Sequence, residues 1–190
     1  MPTETITASL RLEPLSPQHG ELLLVMFQDK RMWTYLDGSP AEAEKSATWF
    51  IHAAALSRRA TGLGIWAAFL RADSADGQLC AGSFVGIGGV RDTAADVWNL
   101  GLSITPPAWG RGYATEVATA AVNAAHTSFP NRAVTARALT KNVGSERAMV
   151  SAGLRVIWKG PSSAHPGEEG RIFADRQLRS SELEWLIRHS

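Results

Sequence analysis

The sequence predicts one mixed α/β domain, and three observations carry that reading. Strand-like and helix-like stretches alternate along all 190 residues, with no internal repeat and no low-complexity tract. The strongest helical stripe lies between two strand patterns in the middle of the chain, which makes a strand–helix–strand crossover. The composition, 45% apolar against 19% charged, suits a chain that buries a core.

Taken in order, residues 6–15, ITASLRLEPL, alternate enough for a strand. A first helix follows, with Ser16 placed to cap it, Pro17 at its first position, and Leu22, Leu23, Val25 and Met26 along it. The second helix is better marked: Ser39 and Glu42 have capping-box spacing, and Ala43, Ala47, Phe50, Ile51 and Ala54 recur at helical intervals. From residue 62 the pattern changes to three strands in a meander, at 62–72, 83–92 and 96–104, with segment 72–82 as a hairpin tip. Gly86, Gly88 and Gly89 read as strand glycines allowing a bulge or close backbone approach, because no helix pattern follows them.

Residues 114–129 form the clearest helix, with Ala114, Val117, Ala118, Ala121, Val122, Ala125 and Phe129 on one stripe. A strand at 133–139, a short helix at 145–153 closing on Gly153, and strands at 154–160 and 170–178 complete the chain. The prediction is therefore a single domain over residues 1–190 with about four helices.

Charge and composition narrow the partners. Nineteen Lys plus Arg against eighteen Asp plus Glu leave a formal charge of +1, no footprint for nucleic acid or an acidic membrane face. The single cysteine, Cys80, excludes an internal disulfide, and the five histidines show no ligand spacing, so no metal is expected. The first residues lack a basic start followed by an apolar core, and the expected location is the cytoplasm. The oligomeric state is not legible, and a homodimer stays open.

The stretch PPAWGRGYATEV, residues 106–117, points to a ligand. Pro106 and Pro107 cannot donate to a sheet ladder, so the strand ending near Ile104 must release there. Gly110 and Gly112 let the backbone approach a ligand closely, and the helix from Tyr113 aims unpaired N–H groups and its positive dipole end at the same spot. That is an anion site suited to a phosphate or pyrophosphate, with Arg111 at its rim. The P-loop pattern is absent. The dinucleotide fingerprint fails as well, because Thr115 stands where a third small residue is needed and strand 133–139 has no acidic residue.

With these residues in place the sequence resembles the GNAT superfamily of N-acetyltransferases, and within it the branch that includes ribosomal-protein N-terminal acetyltransferases. WGRGYATE at 109–116 looks like that branch's pyrophosphate loop, and NVGSERAMVSAGL at 142–154 like its Asn-x-x-Ser segment. The resemblance covers about residues 9 to 186. It implies a mostly antiparallel twisted sheet splayed at the strands ending near Ile104 and Leu139, and acetyl-CoA as co-substrate. The pyrophosphate would sit on the backbone of Gly110, Arg111, Gly112, Tyr113, Ala114 and Thr115, with the pantetheine arm pairing near Ser103 and Ile104. Asn142 is placed near the reacting centre. The acceptor, a primary amine of a protein N-terminus, a polyamine or another small molecule, would lie against Trp33, Tyr35 and Asp37.

The chemistry requires a neutral amine, a donor for the developing oxyanion and a proton for the leaving thiolate. Two departures from the family pattern bear on this. A glutamate is frequent where Asn99 stands, so the general base is unassigned, with Asp92, Asp96 or Glu116 acting through water as the candidates. Where many relatives have a tyrosine near the thiolate this chain has Met149, which leaves Ser145 as the expected donor. A catalytically silent acyl-CoA-binding or regulatory domain on the same fold is the alternative function.

Overall fold

The computed structural model describes residues 4–36 and 38–189. It holds eight strands, β1 (Thr5–Ile6), β2 (Leu10–Pro14), β3 (Ile65–Leu70), β4 (Phe84–Asp92), β5 (Trp98–Ile104), β6 (Val134–Leu139), β7 (Arg155–Pro161) and β8 (Glu169–Ala174). Five helices join them: α1 (Gly20–Gln28), α2 (Ala43–Thr61), α3 (Tyr113–Ser128), α4 (Val143–Ser151) and α5 (Ser180–Arg188). The strands form one sheet in the order β1-β2-β3-β4-β5-β6-β8-β7. Every neighbouring pair is antiparallel except β5–β6, where the α3 crossover brings the chain back in the same direction.

Both faces of the sheet are covered, which is why β3 is buried along its whole length instead of alternating. On one face α1 and α2 pack Leu23, Phe27, Ala47 and Ala54 against Ile65, Ala67, Phe69 and Ile87. On the other, the α3 stripe of Val117, Ala118, Ala121, Val122 and Ala125 meets Val85, Val90, Trp98 and Leu100. The buried alanines bring α3 close to the sheet, and Gly88 makes room for it: a Cβ there would lie 2.6 Å from Val117 Cγ1.

The feature that matters most for function is the gap between β5 and β6. Their pairing runs only through Trp98↔Val134, Asn99↔Thr135 and Leu100↔Ala136, after which the strands diverge. The predicted splay at Ile104 and Leu139 is therefore present. β5 itself stays paired with β4 as far as Ile104 and ends there, before a 3-10 turn over Pro106–Ala108, and the indole Nε1 of Trp109 donates to the Ile104 carbonyl at 2.6 Å.

Four local expectations are revised. The strand expected over 6–15 is a β1–β2 hairpin, its turn held by Glu116, whose carboxylate accepts the N–H groups of Ser9 and Leu10 at 2.6 and 3.1 Å. The Ser39–Glu42 capping box does not form; a 3-10 turn over Pro40–Glu42 uses the Ser39 carbonyl instead, accepting the Glu42 N–H at 2.9 Å. The fourth helix starts two residues earlier than expected, at Val143, and Asn142 caps it. A fifth helix, α5, was not expected, although Leu183, Leu186 and Ile187 have helical spacing behind Ser180 and Glu182.

Candidate active site

A cleft of about 620 Å³ opens where β5 and β6 part. At one end lies the turn into α3. Gly110 and Gly112 have φ of 74° and 84°, a left-handed conformation that glycine adopts without strain, and neither faces any atom within 4 Å of a would-be Cβ. The first bond of the helix is Glu116 N–H to the Gly112 carbonyl. The N–H groups of residues 110–115 thus have no hydrogen-bond partner among the described residues, and they sit at the positive end of a sixteen-residue helix. Such a turn accepts a multiply charged phosphate.

The Arg111 side chain is paired away from this turn. Its guanidinium reaches back to the β3–β4 loop, pairing with Asp76, donating to Gln78 Oε1 at 2.9 Å and to the Pro107 carbonyl at 3.1 Å. The charge expected at the rim is thus held in place by Asp76.

Along β5 the backbone alternates between its two neighbours. Thr105 N–H donates to Val85 of β4, whereas Trp98 N–H donates to Ala133 just before β6. By this parity Leu102 and Ile104 turn their backbone groups into the gap, and Ser103 turns its own toward β4, opposite Ile87. The pairing edge is therefore Leu102 and Ile104, not Ser103 and Ile104, and the Ile104 carbonyl is already engaged by Trp109.

Asn142 and Ser145 line the cleft across from this edge. Asn142 Oδ1 accepts the Ser145 N–H at 3.0 Å, which fixes the amide so that Nδ2 is the free donor. The Ser145 hydroxyl makes no hydrogen bond among the described residues.

Of the expected acceptor residues, Tyr35 lines the cleft with Met32 and Leu36. Trp33 does not: its indole N–H donates to the Phe27 carbonyl at 2.7 Å and its ring packs 6.0 Å from that of Phe27. Asp37 lies outside the described residues.

The three carboxylates considered as bases are committed elsewhere. Asp92 pairs with Arg132, Asp96 with Arg132 and Arg179, and Glu116 holds the β1–β2 turn. Among the described residues, no aspartate or glutamate lines the cleft. Asn99, standing where a glutamate was expected, is buried beside Arg137, whose Nη2 lies 3.5 Å from its Oδ1. Arg91 of β4 is the cross-strand partner of Asn99 and lies over the Trp49 ring with its Cζ 5.0 Å from the centroid. Burial, and for Arg91 also the charge of Arg137, holds both guanidiniums below their ordinary pKa. None of Arg91, Arg137 and Trp49 was marked by sequence spacing, because each stands on a different element.

No group of three or more His, Cys, Asp or Glu side chains among the described residues could hold a metal ion, and no helix among them is long and apolar enough to cross a membrane.

A splayed sheet whose opening meets a helix N-terminus, its first N–H groups without hydrogen-bond partners among the described residues, suits an extended ligand that carries a phosphate. A family model described as Acetyltransferase (GNAT) domain matches residues 9–155, and the chain belongs to that family. Similar solved structures include a GnaT-family protein from Bordetella pertussis, 18% identical with a TM-score of 0.73 over 91% of this chain and 99% of that one. An acetyltransferase from Agrobacterium tumefaciens is 19% identical with a TM-score of 0.69, covering 92% and 94% of the two chains. The ribosomal L7/L12 α-N-protein acetyltransferase RimL in complex with coenzyme A is 13% identical with a TM-score of 0.68, covering 90% and 95%. At these identities the likeness is one of fold. No protein of curated function matches the chain by sequence.

Proposed function

We propose that the chain transfers the acetyl group of acetyl-CoA to a primary amine. The observation that carries the reading is the turn at residues 110–115, whose N–H groups have no hydrogen-bond partner among the described residues and whose Gly110, Gly112 and Thr115 line the β5–β6 gap. They would hold the pyrophosphate, and the edge of Leu102 and Ile104 would pair with the pantetheine arm as an added strand does. Acetyl-CoA supplies the activated acyl group. The chain's own part is to exclude water from the gap, to offer Nδ2 of Asn142 as a donor, and to offer the Ser145 hydroxyl as a proton source to the departing sulfur. A protein N-terminus, the acceptor named for the RimL structure, is one acceptor class that fits this reading.

A catalytically silent acyl-CoA-binding domain is the second reading, favoured by the lack of a lining carboxylate among the described residues. Two measurements test the proposal. Acetyl-CoA at about 100 times its Kd should stabilise the fold by about 2.7 kcal/mol, and Gly112→Val should abolish that gain while the chain still folds. Equal melting with and without acetyl-CoA overturns the proposal. Thiol release on adding an amine separates transferase from silent binder.

A further inference from the structure

We infer that the acceptor is a small amine bearing an anionic oxygen group, a carboxylate or a phosphate, held between Arg91 and Arg137 across Asn99. The inference rests on the proposed acetyl transfer and names its acceptor class. Arg91, Asn99 and Arg137 come from three adjacent strands and lie on one face of the sheet, the face that α2 and α5 cover. Both arginines line the cleft and are partly buried, and among the described residues neither has a carboxylate within ion-pair distance. Among the described residues, the oxygens that meet Arg137 are neutral, the His189 carbonyl just past α5 and Asn99 Oδ1. Arg91 rests on the Trp49 ring.

Two guanidiniums partly withdrawn from water on one face of the sheet are costly unless an anion meets them. Their planar forks match a carboxylate or phosphate bidentately. The coenzyme's own pyrophosphate is not that anion. Asn99 and Ile104 are five residues apart on β5, roughly 16 Å along an extended strand, and the phosphate turn lies beyond Ile104. A polyamine would bring further positive charge to the same place, and the cleft offers it no described carboxylate.

The test uses the full chain with acetyl-CoA and matched acceptors: the common amino acids, their carboxamides, the corresponding decarboxylated amines, phosphoethanolamine, spermidine, and a C-terminally amidated peptide with a free N-terminus. The expected result is a kcat/KM for one or more amino acids at least about tenfold above the matched carboxamide and decarboxylated amine, as one charge-assisted hydrogen-bonded pair requires. Preference for phosphoethanolamine over every amino acid would support the inference and name phosphate as the group. Arg91→Gln and Arg137→Gln should each erase the preference through KM, while leaving the acetyl-CoA melting shift intact as evidence of folding; Arg137→Lys should retain part of it. Spermidine, a carboxamide or the amidated peptide turning over as well as the best anionic amine overturns the inference. So does a preference that survives in both Gln variants. If no acceptor turns over, calorimetric titration of the amino acids and phosphoethanolamine into the coenzyme A-loaded chain decides, and no saturable heat overturns the inference. Loss of the acetyl-CoA shift in the wild type would instead sink the proposed function itself.

Discussion

Asn142 caps α4 by accepting the Ser145 N–H on Oδ1 at 3.0 Å, so one side chain both orients its neighbour and fixes its own amide. The relationship separates two roles that the sequence alone merges. Because Asn142 does the capping, Ser145→Ala should alter stability by no more than about 0.5 kcal/mol. If the hydroxyl protonates the thiolate, the same variant should lose one to two orders of magnitude in kcat, with acetyl-CoA binding almost unchanged, the usual worth of acid catalysis being about 10²-fold or more. Asn142→Ala should cost about 1 kcal/mol of stability in addition to rate. Normal turnover by a stable Ser145→Ala would assign the proton to water.

The Arg111–Asp76 pair ties the phosphate turn to the β3–β4 loop. Hydrogen bonding from Arg111, then from the Ser74 hydroxyl and the Gln78 N–H, holds the Asp76 carboxyl down to about 2. A depressed acid stabilises the folded state above its unfolded pKa, near 3.9, and that contribution fades as the pH falls through about 2. In Arg111→Gln, carboxyl NMR should find Asp76 titrating closer to the ordinary range. Acetyl-CoA affinity should change less than roughly fivefold, because the guanidinium is already paired. A larger loss would mean that Arg111 leaves Asp76 for the coenzyme.

Gly86 sets the position of the cleft wall. Its φ is 139°, and a Cβ there would meet the Ser103 carbonyl at 2.3 Å and Ile104 Cα at 2.7 Å. Gly86→Ala must push β5 away from β4 or unfold the pair, at a cost of about 2–3 kcal/mol. For a chain of this size that lowers Tm by roughly 5–10 °C. Gly110→Ala, strained but facing open space, should cost only about 1–2 kcal/mol. Equal losses in the two variants would show that conformation, not the close approach to β5, sets the requirement at Gly86.

Asp175 joins the end of α3 to the start of β6. Burial opposes its ionisation, but hydrogen bonds from Arg176, from His126 at 2.6 Å and from the Val134 N–H at 3.0 Å outweigh burial and lower its pKa. Its contribution is thus complete above the unfolded carboxyl pKa and disappears on acidification below it. Asp175→Asn should destabilise at pH 7 by about 2 kcal/mol, and the difference from wild type should shrink toward pH 3. A pH-independent difference would assign the loss to packing.

What the sequence by itself determined is whatever depends on neighbours along the chain. The α3 stripe, the halt at Pro106 and the glycines at 110 and 112 are backbone and periodicity effects, and each lies where it was read. The asparagine and serine of the α4 segment are equally local, which is why Asn142 and Ser145 reach the cleft together. Long-range pairing decided the rest. Glu116 looked free in sequence, yet the β1–β2 turn more than a hundred residues earlier takes its carboxylate. Trp33 looked like a binding surface until α1 offered its carbonyl and ring. Arg91, Asn99 and Arg137 have no spacing that relates them, because a sheet joins residues by strand order and register, neither of which is written in local composition. Only when β4, β5 and β6 align do two partly buried arginines and a buried amide share one face of the sheet.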